Sequence, residues 1–149
     1  MLSAQHKYSD EYRPLPAGLC WAQTETKEIE MRTTNLMENL EFHDGHPYAQ
    51  PLYVDENGRV IRFMLKPGQM IAEHNAPSSP FYAVIIKGRG MFAGADGVEH
   101  EFGPRDILIF DKGENHTVRA LDEPLIFAGF LHGVEGTRPD KIGGLLGDE

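Results

Sequence analysis

The stretch "PGQMIAEHNAPSSPFYAVIIKGRG" (residues 67–90) opens with a Pro-Gly turn, carries one histidine, His74, and closes on two glycines. Its run "FYAVIIKG" is short, β-branched and mostly apolar, which is typical of a strand that ends at a glycine turn. A second stretch, "GPRDILIFDKGENH" (103–116), contains an acidic turn, an apolar run, a glycine and again one histidine, His116. The two stretches therefore predict strands, each associated with one histidine.

Turn residues punctuate the rest of the chain in the same way from residue 50 onward. The runs "PLYV" and "RVIRFML" flank Asn57-Gly58, and "GMFAG" and "VEHEF" flank Asp96-Gly97. Both pairs tolerate the positive φ that tight hairpin turns need. The runs "DILIF", "HTVRAL" and "PLIFAGFL" follow. Because turns return about every 8–12 positions and no helical periodicity competes, an antiparallel all-β sandwich or barrel is predicted.

Together, the two histidine-bearing stretches resemble the two signature motifs of the cupins, which are small jelly-roll barrels. The matching positions are Pro67, Gly68, His74, Gly88 and Gly90 in the first motif, and Asp106, "ILIF", Gly113 and His116 in the second. The segment "HNAPSSP" is similar to that of a short single-domain branch of the family, which generally lacks an established activity. The resemblance implies an all-β fold made of one cupin-type jelly-roll barrel (a double-stranded β-helix) with an N-terminal arm.

We expect the chain to be organised in three parts. These are an N-terminal arm over 1–40, the barrel over 41–135 and a C-terminal tail over 136–149. Within the arm, "TETKEIEMRTTNLMENL" (24–40) is predicted to form one short helix. The arm is either free, or it exchanges a strand with a second copy or packs across a dimer.

The resemblance also shows where this chain departs from the metal-binding cupins. Those proteins place a second histidine two residues after the first and a glutamate about five residues beyond that, positions that are Ala76 and Phe81 here. The usual three histidines and one glutamate are thus reduced to His74 and His116. These two are the expected ligands if a divalent transition metal (Fe, Mn, Ni or Zn) is bound, and two imidazoles hold such an ion more weakly than three or four protein ligands.

Four other side chains are candidates for further metal ligands: Glu73, His43, His46 and His100. Because side chains alternate along a strand, Glu73 points away from the face that carries His74. His43 and His46 precede the barrel and are placed to fold over its mouth from a loop or arm, whereas His100 lies in a hairpin and is expected at the surface. No further ligand is therefore predicted within the barrel.

An apolar cavity is expected around the two histidines. Its predicted lining is His74, Ala76, Phe81, His116, Val118, Phe63 and Ile109, with Leu65, Ile107 and Phe127 as further candidates. Ordinary core packing is the alternative interpretation for most of these side chains. Burial lowers the pKa of a histidine and an anionic ligand raises it again. Such a cavity favours a small, mostly apolar molecule with one polar group.

Composition excludes several classes of partner. The net charge of −9 and the absence of any run of Lys and Arg disfavour binding to nucleic acid or to an anionic membrane. The single cysteine, Cys20, excludes an internal disulfide and a cysteine-rich zinc site. The N-terminus lacks a signal-peptide pattern and the longest apolar run, "LIFAGFL", is too short to span a bilayer. A cytoplasmic protein is expected.

Three functions remain open. The first is a cupin that binds a small organic molecule in its barrel without an established activity. The second is a metal-dependent enzyme, of oxygenase, isomerase or lyase type, that acts on a small organic acid. No catalytic residue is identified for it, and His46, Tyr82 and Glu114 are candidate bases by residue type alone. The third is a structural role in which the barrel forms a homodimer, which would cover unpaired strand edges.

Overall fold

The computed structural model describes residues 30–133 and 143–147. The chain divides into two compact units, 1–31 and 32–149, and the fold below belongs to the second. The predictions that concern Cys20 and the larger part of the arm lie outside the described residues, as does most of the C-terminal tail.

Within residues 30–133 and 143–147, nine antiparallel strands form two sheets, as the turn spacing predicted. The strands are β1 (Tyr48–Asp55), β2 (Gly58–Leu65), β3 (Met70–His74), β4 (Phe81–Lys87), β5 (Gly90–Ala93), β6 (His100–Phe102), β7 (Ile107–Phe110), β8 (His116–Ala120) and β9 (Leu125–His132). One sheet has the order β1-β2-β9-β4-β7 and the other the order β3-β8-β5-β6. This arrangement confirms the all-β, jelly-roll prediction.

The core lies between the inner faces of the two sheets. Burial alternates along β4, whose odd-numbered residues from Phe81 to Ile85 are buried while the even-numbered ones are half-buried. Aromatic rings fill much of the interior: Phe127 stacks on Phe63 with centroids 4.6 Å apart and meets Phe92 edge to face at 5.7 Å. Such ring pairs add to the stabilisation that burial alone gives.

The β1–β2 hairpin turns one residue earlier than predicted. Asp55 pairs with Gly58, so the turn residues are Glu56 and Asn57, and neither Asn57 nor Gly58 has a positive φ. The Asp55 carboxylate accepts hydrogen bonds from the backbone N–H groups of Asn57 and Gly58, and these bonds, that of Asn57 above all, lower its pKa. A side-chain acceptor therefore stabilises this turn in place of a left-handed residue. In the second hairpin Gly97 has the expected positive φ of 70°.

The predicted helix over 24–40 is wrong for its described part, since residues 30–40 contain a turn but no helix. The cause is the Arg62 side chain on β2, which is only 1% exposed. Its guanidinium donates to the backbone carbonyls of Leu36, Glu38 and Asn39 and to the Gln50 side chain. Those carbonyls thereby satisfy their hydrogen bonding without the N–H groups that a helix would supply.

No helix within the described residues is long and apolar enough to cross a membrane.

Candidate functional site

The two histidines meet where β3 ends and β8 begins. His74 is the last residue of β3, His116 is the first of β8, and the two are cross-strand partners in the antiparallel ladder. Their ring centroids lie 4.3 Å apart at an interplanar angle of 65°. His116 is 2% exposed whereas His74 is exposed. The structure thus brings the predicted pair together, with His74 at the rim and His116 below it.

Backbone carbonyls fix the tautomer of both rings. The Nδ1 of His74 lies 2.9 Å from the carbonyl oxygen of Ala72, and the Nδ1 of His116 lies 2.9 Å from that of Glu114. A carbonyl oxygen only accepts, so each Nδ1 carries the proton. In the neutral ring, Nε2 is then left as a hydrogen-bond acceptor or metal ligand.

Phenyl rings enclose His116 and keep it neutral. Its ring stacks on Phe110 at 4.5 Å and on Phe81 at 5.3 Å. Burial lowers the pKa of His116, since the charged form loses its hydration, and the neighbouring His74 lowers it further. The hydrogen bond to the Glu114 carbonyl opposes this shift without cancelling it. His116 is therefore poised to accept a hydrogen bond through Nε2 at neutral pH.

A cavity of about 430 Å³ opens beside the histidine pair. Its apolar wall is formed by Ile61, Phe63, Phe81 and Leu131, and its polar lining includes Asn75, Ser78 and Ser79 near the two histidines. The volume falls within the range of about 300–1,000 Å³ that is usual for small-molecule sites. A mostly apolar wall with a few polar groups is also the usual composition of such a site.

The structure places five of the seven predicted lining residues on this cavity and two elsewhere. Those on the cavity are His74, Ala76, Phe81, His116 and Phe63. Val118 lies within the packed core instead, next to Leu65 and Phe127. Ile109 is 60% exposed and belongs to the outer face of the sheet, as does Ile107. On β7 the inward residues are Leu108 and Phe110, because they are the cross-strand partners of the inward Ala83 and Phe81.

Arg59 also lines the cavity, and sequence reasoning missed it. It is half-buried, and its side chain makes no hydrogen bond or ion pair within the described residues. A signal for it was present: Phe63 was placed inward, and strand alternation carries that face back through Ile61 to Arg59.

The other candidate ligands and bases do not line this cavity. Glu73 accepts a hydrogen bond from the Asn115 side chain. His43 stacks on Tyr48 and pairs with Glu41. The remaining side chains also have other partners or positions: His46 donates to the Pro47 carbonyl, Tyr82 hydrogen-bonds to His132, Glu114 accepts from the backbone of Ala95 and Asp111, and His100 is exposed.

The donor set falls short of a metal centre of the usual kind. Across residues 30–133 and 143–147, no group of three or more His, Cys, Asp or Glu side chains is placed to hold a metal ion. The site offers two imidazoles, whereas catalytic zinc normally has three protein ligands and the non-haem iron triad adds a carboxylate to two histidines. The described residues therefore do not fit such a centre.

Comparison with known proteins agrees with this fold. Residues 61–129 match the family model described as the cupin domain. A solved Klebsiella pneumoniae protein with a double-stranded β-helix domain, called uncharacterised, is 23% identical, covers 80% of this chain and 100% of its own, and has a TM-score of 0.65. An RmlC-like cupin from Desulfovibrio desulfuricans is 22% identical over 68% of this chain and 97% of its own, at a TM-score of 0.62. A protein from Ralstonia eutropha called a putative mannose-6-phosphate isomerase is 16% identical. The match covers 70% of this chain and 100% of that protein, at a TM-score of 0.60. No curated protein matches the chain.

Proposed function

We propose that the barrel, in which residues 61–129 match the family model described as the cupin domain, binds a small organic molecule beside His74 and His116. The observation that carries this proposal is the cavity of about 430 Å³, in which an apolar wall meets the imidazoles of His74 and His116. The ligand is mostly apolar and carries a hydrogen-bond donor, such as a hydroxyl group. That donor pairs with an Nε2 atom, because both Nδ1 atoms already donate to backbone carbonyls.

Hydrophobic burial supplies most of the binding free energy in this proposal. The phenyl rings of Phe63 and Phe81 stand edge to face at 5.9 Å and offer a ring-shaped ligand a surface to pack on. A ligand hydroxyl that pairs with an imidazole adds orientation and a smaller share of affinity. A ligand that buries its polar group without such a pair would bind more weakly.

A series of 4-alkylphenols and their methyl ethers tests the proposal, by backbone amide shifts in NMR titrations. We expect the phenols to shift amides around the cavity, such as those of Ile61 and Ala76, and the ethers to bind more weakly because they cannot donate. His74→Ala should weaken phenol binding roughly two- to ten-fold, the usual effect of one neutral hydrogen bond. His100→Ala, which removes an exposed histidine outside the cavity, is the matched control. The proposal fails if millimolar phenols shift no cavity amide, or if they bind elsewhere.

The alternative function is a metal-dependent enzyme that acts on a small organic acid. The likeness to the Ralstonia eutropha protein shows a shared fold at 16% identity and carries no activity over to this chain. In our proposal, dialysis against a chelator leaves phenol binding unchanged. Binding or turnover that returns only after addition of iron, manganese, nickel or zinc, and is lost in His74→Ala, would favour the enzyme instead.

A further inference from the structure

We infer that Arg59 makes the cavity selective for a carboxylate, so that the ligand is a small organic anion with an apolar body. This inference rests on the proposed binding function and specifies the class of ligand. Its basis is the placement of a cation with unused donors on the lining of an otherwise apolar cavity.

The side-chain N–H groups of Arg59 have no acceptor among the described residues. Its guanidinium has five N–H donors, and within the described residues none of them meets a protein acceptor. Three other arginines of the barrel differ, since Arg62 donates to three carbonyls and a side-chain amide, while Arg89 and Arg119 pair with Glu101 and Glu99. Guanidinium donors that meet no protein acceptor are satisfied by water or by a ligand.

The charge around the cavity suits an anion. No aspartate or glutamate belongs to the lining, whose ionisable groups among the described residues are Arg59, His74 and His116. The chain as a whole carries a net charge of −9, so this cavity is a local exception to an acidic protein. Apolar walls also reduce the screening that water would give to a charge pair inside.

The groups on the lining together define the ligand. The planar guanidinium matches a carboxylate and can bind it through two parallel hydrogen bonds. Phe63 and Phe81 accommodate an apolar ring, and the imidazole Nε2 atoms accept from a hydroxyl. A hydroxylated aromatic or aliphatic monocarboxylate satisfies all three groups, whereas a cation, a neutral hydrocarbon or a large polyanion does not.

The test compares 3-(4-hydroxyphenyl)propanoate with its primary amide, two probes of the same shape that differ in charge. With the wild-type protein we expect the acid to bind roughly ten-fold or more tightly than the amide, as charge-assisted hydrogen bonds require. Arg59→Gln should abolish this preference by weakening the acid and leaving the amide nearly unchanged. Arg59→Lys should retain part of it. Arg105→Gln removes an exposed arginine outside the cavity and should keep the full preference.

The outcomes separate this inference from the function on which it rests. If acid and amide bind the cavity equally well, or if Arg59→Gln keeps the preference, the role of Arg59 is refuted while the binding function stands. If neither probe shifts a cavity amide at millimolar concentration, the binding function itself is refuted. Circular dichroism of each variant checks that the barrel is folded.

Discussion

At the scale of the residue, the surroundings of His116 determine its charge. Two phenyl rings stack on it, and the backbone carbonyl of Glu114 holds its Nδ1 proton. Burial lowers its pKa below the ordinary value near 6.5. As the pH falls below about 6.5, the unfolded chain takes up a proton that the folded chain still refuses. This residue therefore makes the fold sensitive to mild acid.

We predict that the free energy of unfolding decreases from about pH 6.5 down to the folded-state pKa of His116. The slope from this one group is at most about 1.4 kcal/mol per pH unit. Urea denaturation at a series of pH values measures it, and His116→Gln should remove that part of the slope. His100→Gln, at an exposed site, controls for the loss of a histidine as such. An unchanged slope in His116→Gln would contradict the assignment.

Arg62 is the residue on which the segment before β1 depends. Arg62→Met should destabilise the fold by about 2–4 kcal/mol, because it leaves the carbonyls of Leu36, Glu38 and Asn39 and the Gln50 side chain without their donor. Arg59→Met, on the same strand but at a side chain with no hydrogen bond or ion pair among the described residues, should cost no more than about 0.5 kcal/mol. Equal losses in the two variants, measured by urea denaturation, would show that the hydrogen bonds of Arg62 do not matter.

At the scale of the element, β7 is the strand whose orientation the sequence did not reveal. All four of its residues, "ILIF", are apolar, so no alternation of apolar and polar side chains indicates which face is inward. The pairing with β4 settles it by placing Leu108 and Phe110 inside. Ile107 and Ile109, 62% and 60% exposed, lie on the outer face.

This orientation predicts unequal effects for two neighbouring truncations. Leu108→Ala should lower the free energy of unfolding by about 2–4 kcal/mol, since it opens a cavity in the core. Ile109→Ala should cost less than about 1 kcal/mol, because its side chain is mostly in water already. Thermal or urea denaturation of both variants checks the difference, and the reverse order would mean that β7 is flipped.

Local chemistry explains which elements were predictable. Strands such as β4 and β9 are β-branched or aromatic and bounded by turn residues, so their positions could be read directly. The helix over 24–40 was wrong in its described part because Arg62, distant in sequence, takes up the backbone carbonyls. The shift of the first hairpin turn depends on the side-chain acceptor of Asp55, which competes with the preference for a left-handed Asn-Gly pair.

The candidate site, like the fold, was predicted in part: the sequence indicated the histidine pair and Phe81 but not Arg59. His74 and His116 converge because each lies in a motif whose strand position is recognisable. Phe81 occupies the position of the glutamate ligand of metal-binding cupins, and the resemblance therefore predicts that it faces the cavity. Arg59 was overlooked because a cation on an inward strand face contradicts the usual expectation that arginine is exposed. Exceptions to that expectation occur at functional sites, but also where a buried arginine has a structural role, as Arg62 does.

At the scale of the whole molecule, we predict that the protein forms a homodimer. Strand β7 is an edge of its sheet, and exposed isoleucines on it lie beside the half-buried Tyr82 and Val84 of β4. Apolar side chains on an unpaired edge favour association. Light scattering at micromolar concentration should give twice the monomer mass, and the double variant Ile107→Lys/Ile109→Lys should give a monomer. Met70→Lys, at an exposed site on β3, is the control, and a monomeric wild type would refute the prediction.

The binding function together with the role of Arg59 predicts that an organic anion occupies the cavity lined by Arg59 and the histidine pair. A crystal structure with 3-(4-hydroxyphenyl)propanoate, recorded with anomalous data at the metal absorption edges, tests this most directly. We predict density for the acid in the cavity, with its carboxylate within hydrogen-bond distance of the Arg59 guanidinium and its ring against Phe63 and Phe81. A carboxylate bound away from Arg59 would contradict the role of Arg59. A metal ion held by His74, His116 and a third protein ligand would contradict the proposal that the cavity binds its ligand without a metal.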